Sequence, residues 1–158
     1  MTETTNPAQA GGDPHGSAAS DPNARSVTLT RTEFATFRVE NDRGGVLEIG
    51  EGDGTLFTPV ELLLAAIAGC SAIDVDYITS RRAEPVSFEV TSSGVKSTEG
   101  GNHLTDLHVT FRIAFPEGPD GDAARDRLPV AIRRSGESLC TVSRTVQLGT
   151  PVVMDAAS

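Results

Sequence analysis

Thr58-Pro59-Val60-Glu61-Leu62-Leu63-Leu64-Ala65-Ala66-Ile67-Ala68-Gly69-Cys70 decides the architecture. Thr58 is a good N-cap, because its hydroxyl accepts one of the orphan N–H groups of a first helical turn. Pro59 suits the first helical position, and Glu61, three residues after Thr58, completes a capping box. Apolar side chains then run nearly all the way round the helix as far as Ile78. A helix apolar on most faces is buried on most faces. The spacing predicts an end near Arg81–Arg82, basic residues that suit a helix C-terminus, before Pro85.

Short β-like runs precede this helix. Ser26–Arg31 and Phe34–Asn41 are rich in Val, Thr, Leu and Phe, and Val46–Ile49 follows an Asn-Asp-Arg-Gly-Gly turn. Gly50–Gly54 reads as a flexible loop. After the helix, Val86–Val90 and Leu104–Phe115 read as strands joined by a hairpin loop at Gly94–Asn102. In the second, Leu107, Val109, Phe111, Ile113 and Phe115 alternate with His108, Thr110 and Arg112, the pattern of a half-buried strand. Gly121–Leu139 is helical in pattern, but Pro129 predicts a kink or a split. A short segment Cys140–Leu148 follows, and Pro151–Met154 reads as a closing strand. The expected fold is α+β, a mostly antiparallel sheet packed on a long central helix.

Length and composition bound the function. A chain of 158 residues has room for one core. The ordered domain is expected over 26–158. Met1 to about Arg25 carries no large apolar side chain after Met1, cannot offset its ordering entropy, and reads as a disordered tail that also removes His15 from catalysis. The formal charge of -9 repels phosphate backbones, so no nucleic-acid partner is expected. The longest apolar run, Val60–Ile67, is interrupted by Glu61 and falls short of a membrane span. No basic segment followed by an apolar stretch opens the chain. These features predict a soluble, cytoplasmic protein.

Two cysteines are too few for a disulfide scaffold. There is no C-x-x-C, and His15, His103 and His108 are scattered, so no metal and no cofactor is expected. Cys70, inside an apolar helix, reads on composition as a small buried hydrophobe. Cys140 stands near a helix start with Arg144 one turn on, and both features lower a thiol pKa.

The helix from Thr58 through Gly69-Cys70-Ser71-Ala72-Ile73-Asp74-Val75 resembles the signature helix of the OsmC/Ohr family, which carries Pro-x-Glu-Leu and then Gly-Cys. Leu139-Cys140-Thr141-Val142-Ser143 is similar to that family's second cysteine motif, with Thr141 where proline is usual. The resemblance covers about Ser26 to Met154 and is nearer the OsmC-like branch than the hydroperoxide-resistance branch. It implies a cysteine-based peroxidase active in oxidative stress defence. A Cys70 thiolate attacks an organic or hydrogen peroxide, leaving a sulfenic acid; Cys140 condenses with it to a disulfide, and an external dithiol reduces the pair. The resemblance also implies an arginine from the early β region, for which Arg31 is the best match by position, with Arg38 and Arg43 behind it. The corresponding glutamate is missing: Val60 follows the proline, and Glu61 lies about two and a half turns from Cys70, on the opposite face. Glu61 is therefore expected to cap the helix. Asp74, one turn beyond Cys70, shares its face and opposes thiolate formation. An OsmC-fold redox-responsive or small-molecule-binding protein with little turnover is the alternative.

The central helix also predicts a homodimer. One small sheet covers one side of it, and the other side needs a second surface. The resemblance implies an intertwined dimer whose site draws Arg31 from the partner chain.

Overall fold

A computed structural model describes residues 21–157. Most of the expected tail, with His15, lies outside the described residues. The chain forms two compact units, the first ending at Leu56 and the second beginning at Phe57.

The first unit is an antiparallel meander of β1 (Val27–Glu33), β2 (Thr36–Asn41) and β3 (Val46–Ile49), in that order. Ala35 takes a left-handed φ of 52° in the tight β1–β2 turn, so β2 begins two residues later than the alternation suggests. Asn41 closes the next turn, its Oδ1 accepting from the N–H groups of Arg43 and Gly45.

The second unit is built on α1 (Pro59–Thr79), a hairpin of β4 (Ser87–Ser97) and β5 (His103–Ala114), and two further helices, α2 (Pro119–Arg134) and α3 (Thr141–Leu148). The α+β reading therefore holds, with the strands divided between two antiparallel sheets. The capping box is formed. Glu61 N–H donates to Thr58 Oγ1 at 3.2 Å, and Thr58 N–H donates to Glu61 Oε2 at 2.8 Å. These bonds from Thr58, backbone first, hold the Glu61 carboxyl below its ordinary value. Glu61 is a cap here, as its register required.

Helix α1 buries one stripe, Ile67, Ser71, Val75 and Thr79, spaced four residues apart and packed toward β4, α2 and α3. Leu62, Leu64 and Ile78 are half-buried, and Val60, Leu63, Ile73 and Tyr77 are exposed. By length and composition alone α1 would also reach across a bilayer. It ends at Thr79, two residues short of Arg81, with Ser80 as its C-cap: the Ser80 N–H donates to the Asp76 carbonyl and its hydroxyl to Asp76 Oδ1.

Three expectations are corrected. The hairpin loop is shorter than Gly94–Asn102, because β4 runs on to Ser97. A bulge in β5 sets Asp106, with its φ of 53°, and Leu107 against the single residue Gly94 of β4, and pairing resumes at Val95–Thr105. Helix α2 continues through Pro129 rather than splitting there; the irregularity comes after Arg134, as a single π-turn over Ser135–Leu139. Pro151–Met154 is not a strand. Gly149 ends α3 in the left-handed conformation, Pro151 has no N–H to donate, and Val152–Met154 are exposed without a ladder partner.

Gly121, in the first turn of α2, is buried where the backbone meets the Pro116 carbonyl, and a Cβ there would collide with that oxygen. Gly121→Ala is expected to cost about 1–3 kcal/mol by overpacking. An unchanged urea midpoint would contradict this close approach.

Candidate active site

Cys70, beside Ser71 of the buried stripe of α1, is partly exposed; Cys140, the N-cap of α3, is fully buried. The composition-based picture of Cys70 as the core residue is thus reversed. Both are free thiols. The two Sγ atoms and a carboxylate oxygen of Asp74 all lie within 4.8 Å of one another.

Local structure explains the convergence. Asp74 follows Cys70 by four residues and so shares its helical face. The π-turn reverses the chain so that α3 starts against α1, and its closing bond runs from Cys140 N–H to the Ser135 carbonyl at 3.0 Å. The hydroxyl of the same Ser135, buried at 1% exposure, donates to Asp74 Oδ2 at 2.9 Å. One serine therefore fixes the backbone of one cysteine and the carboxylate beside the other. π-Turns recur at functional sites for this kind of local re-aiming.

The two sulfurs differ in electrostatics. Burial pushes the Cys140 thiol up, but hydrogen bonds from the Ser143 hydroxyl, the Ser71 hydroxyl, the Cys70 thiol and the Ser143 N–H outweigh it, leaving Cys140 below the ordinary thiol value. Ser143 Oγ is 3.1 Å and Ser143 N 3.3 Å from Cys140 Sγ, the N–H donating to sulfur as to any N-cap acceptor. Cys70 is pushed up, first by burial, then by donating its S–H to Cys140 and by the charges of Cys140 and Asp74; the Val142 N–H alone works the other way. The pair shares its proton unequally, and Cys70 keeps it.

Ser71, Ser135 and Ser143 were not legible as site residues. Only Ser143 carried a signal, its place three residues after a helix-starting cysteine. Arg144, expected to favour the Cys140 thiolate, turns to Gln147 Oε1 at 2.6 Å. Arg31 lies in the first unit, exposed on β1 across from Phe37, and Arg38 there pairs with Glu40 at 3.1 Å. An apolar cavity of about 300 Å³ has Ser71 and Ser143, both hydrogen-bonded to Cys140, in its wall with Ile67, Val109, Phe111 and Ile132; neither cysteine lines it.

The family model described as OsmC-like protein matches residues 52–155, which include α1, both cysteines and Asp74. The chain belongs to the OsmC-like family. Protein YhfA of Escherichia coli is 30% identical over 113 residues, covering 70% of this chain and 81% of its own. An uncharacterized protein of Mycobacterium tuberculosis is 29% identical over 129 residues, 80% of this chain and 92% of the relative. A hypothetical protein from Aquifex aeolicus superposes with a TM-score of 0.63 at 26% identity, covering 80% and 89% of the two chains. An OsmC-like protein of unknown function from Vibrio cholerae shares the fold, with a TM-score of 0.58 at 14% identity over 78% and 93%. Within this OsmC-like chain a helix-borne cysteine faces a second cysteine.

Proposed function

We propose that this OsmC-like protein is a cytoplasmic, homodimeric, thiol-dependent peroxidase acting in oxidative stress defence. The observation that carries the reading is the approach of two free thiols from separate helices to within 4.8 Å. Cys70 is the attacking sulfur, since it is the one solvent reaches. Its thiolate takes the outer oxygen of the peroxide: an S–O bond forms, the O–O bond breaks, and the electron pair leaves with the alkoxide, which is protonated to the alcohol, or to water from hydrogen peroxide. Cys140 then attacks the Cys70 sulfenic acid, an S–S bond forms, and hydroxide leaves and is protonated to water. The donors around Cys140 suit it to this step, which needs a thiolate. An external dithiol returns both sulfurs to thiols. The apolar cavity, which reaches the pair through Ser71 and Ser143 in its wall, favours organic peroxides over hydrogen peroxide. Arg31 of the partner chain is the proposed cation for Cys70.

Steady-state consumption of tert-butyl or cumene hydroperoxide with a dithiol reductant tests this. Sustained consumption supports it; its absence, with both thiols free, favours a redox-responsive or ligand-binding OsmC-fold protein. That second reading draws on one observation, the raised Cys70 thiol beside Asp74 in a chain that has Val60 where the glutamate of the hydroperoxide-resistance branch stands.

The same observation predicts the pH profile. With Cys70 held above its ordinary value, its thiolate is a minor species at neutral pH, and the rate of peroxide attack rises as pH increases through the thiol range. Asp74→Asn removes one opposing charge while keeping a partner for Ser135. It is expected to shift the alkaline rise to lower pH and to speed attack several-fold at pH 7. An unshifted profile by stopped-flow would show that Asp74 does not act on Cys70.

A further inference from the structure

We propose that, with both thiols reduced, Cys70, Asp74 and Cys140 bind one thiophilic divalent cation of the Zn²⁺ class, with solvent in the fourth position. Sequence spacing shows no such set, because Cys140 comes from a different helix; the fold assembles it. Zinc bonds of about 2.3 Å to sulfur and 2.0–2.2 Å to carboxylate oxygen place tetrahedral ligands about 3.6–3.8 Å apart. The three donor atoms already lie within 4.8 Å of one another, so closing on a cation takes a contraction of about 1 Å or less. Two thiolates and a carboxylate select a soft or borderline cation over Mg²⁺ or Ca²⁺, which take oxygen ligands.

A supporting shell surrounds the donors. Metal ligands are held by outer hydrogen bonds that fix their orientation. Ser135 Oγ donates to Asp74 Oδ2, which leaves the other carboxylate oxygen to a cation. Ser143 N–H donates to Cys140 Sγ and the Ser143 hydroxyl lies 3.1 Å from the same sulfur, accepting from the thiol, while the Ser135 carbonyl fixes the Cys140 backbone. Partly exposed Cys70 gives the entry side. With a cation in place both sulfurs are bound, so its occupancy suppresses thiol chemistry at this pair. The proposal does not depend on peroxide turnover.

Reduced full-length protein, held without oxygen, is titrated with Co²⁺ and then Zn²⁺. One Co²⁺ per chain is expected, with thiolate-to-cobalt charge transfer in the near ultraviolet and visible bands of tetrahedral intensity, all lost when Zn²⁺ displaces it. Ser135→Ala is expected to weaken binding about 10–100-fold, and Asp74→Asn to weaken it as well. In wild-type protein, which needs no variant to fold, Zn²⁺ is expected to slow alkylation of both cysteines by iodoacetamide. Absence of charge transfer at saturating Co²⁺, the same spectrum from a Cys70→Ser, Cys140→Ser double variant, unchanged affinity in Asp74→Asn, or unchanged alkylation would each overturn the proposal. Peroxide consumption by metal-free protein is measured separately, so either reading can fail alone.

Discussion

Cys70→Ser is expected to abolish peroxide consumption, a loss of about 10³-fold or more, the scale on which removing an enzyme's nucleophile acts. A serine hydroxyl at this position cannot be ionised near neutral pH, and no other thiol is exposed among the described residues to take its place. Cys140→Ser is expected to behave differently. It keeps the attacking sulfur and loses the resolving one, so each chain consumes one peroxide and stops, and mass spectrometry finds Cys70 as sulfenic acid or its over-oxidised forms. The electrostatics make this comparison informative, because the more acidic thiol is Cys140 and the more accessible one is Cys70. If Cys70→Ser kept the single turnover and Cys140→Ser lost it, acidity would outweigh access and the roles would exchange.

The second large effect is expected at the exposed face of α1. Its large buried apolar residues are only Ile67 and Val75, while Val60, Leu63, Ile73 and Tyr77 stay exposed. The hairpin covers one side, and so much exposed apolar surface on one helix calls for a second cover. A second copy of the chain supplies it in the proposed dimer, at roughly 2,000 Å² or more of buried surface. Leu63→Glu places a carboxylate in that interface. An uncompensated buried charge costs about 3–5 kcal/mol, and a two-fold axis applies it twice. Sedimentation should show a dimer for the wild type, and for Leu63→Glu either a monomer or a failure to fold. A stable, fully folded wild-type monomer at micromolar concentration would contradict the dimer and, with it, a site completed by Arg31 of the partner.

Much of this is legible in the sequence. Thr58, Pro59 and Glu61 fix where α1 starts through bonds among near neighbours, and strict alternation marks β5, because both signals depend on local spacing. Cys70 and Asp74 fall on one face by helical geometry alone. What stayed hidden depends on contacts distant in sequence. The link from Ser135 to Asp74 spans 61 positions and follows from a π-turn that no residue pattern announces. The β5 bulge opposite Gly94 lets β4 run on past Val90 through a pairing across the hairpin. Val152–Met154 has the composition of a strand, but a strand exists only where an edge accepts it. Burial misled in the same way: Cys70 sits in an apolar helix, yet the buried thiol is Cys140, in the mixed stretch Leu139-Cys140-Thr141-Val142-Ser143.

The proposed mechanism stands or falls on whether the two sulfurs bond under oxidation. The fold brings them within 4.8 Å, and a disulfide of about 2.0 Å requires only a local shift of the α3 N-terminus toward α1. The most direct test is non-reducing peptide mapping after treatment with one equivalent of organic hydroperoxide. A Cys70–Cys140 crosslink within one chain, formed in step with loss of both thiols, is the predicted result; both thiols remaining free while the peroxide persists would contradict it.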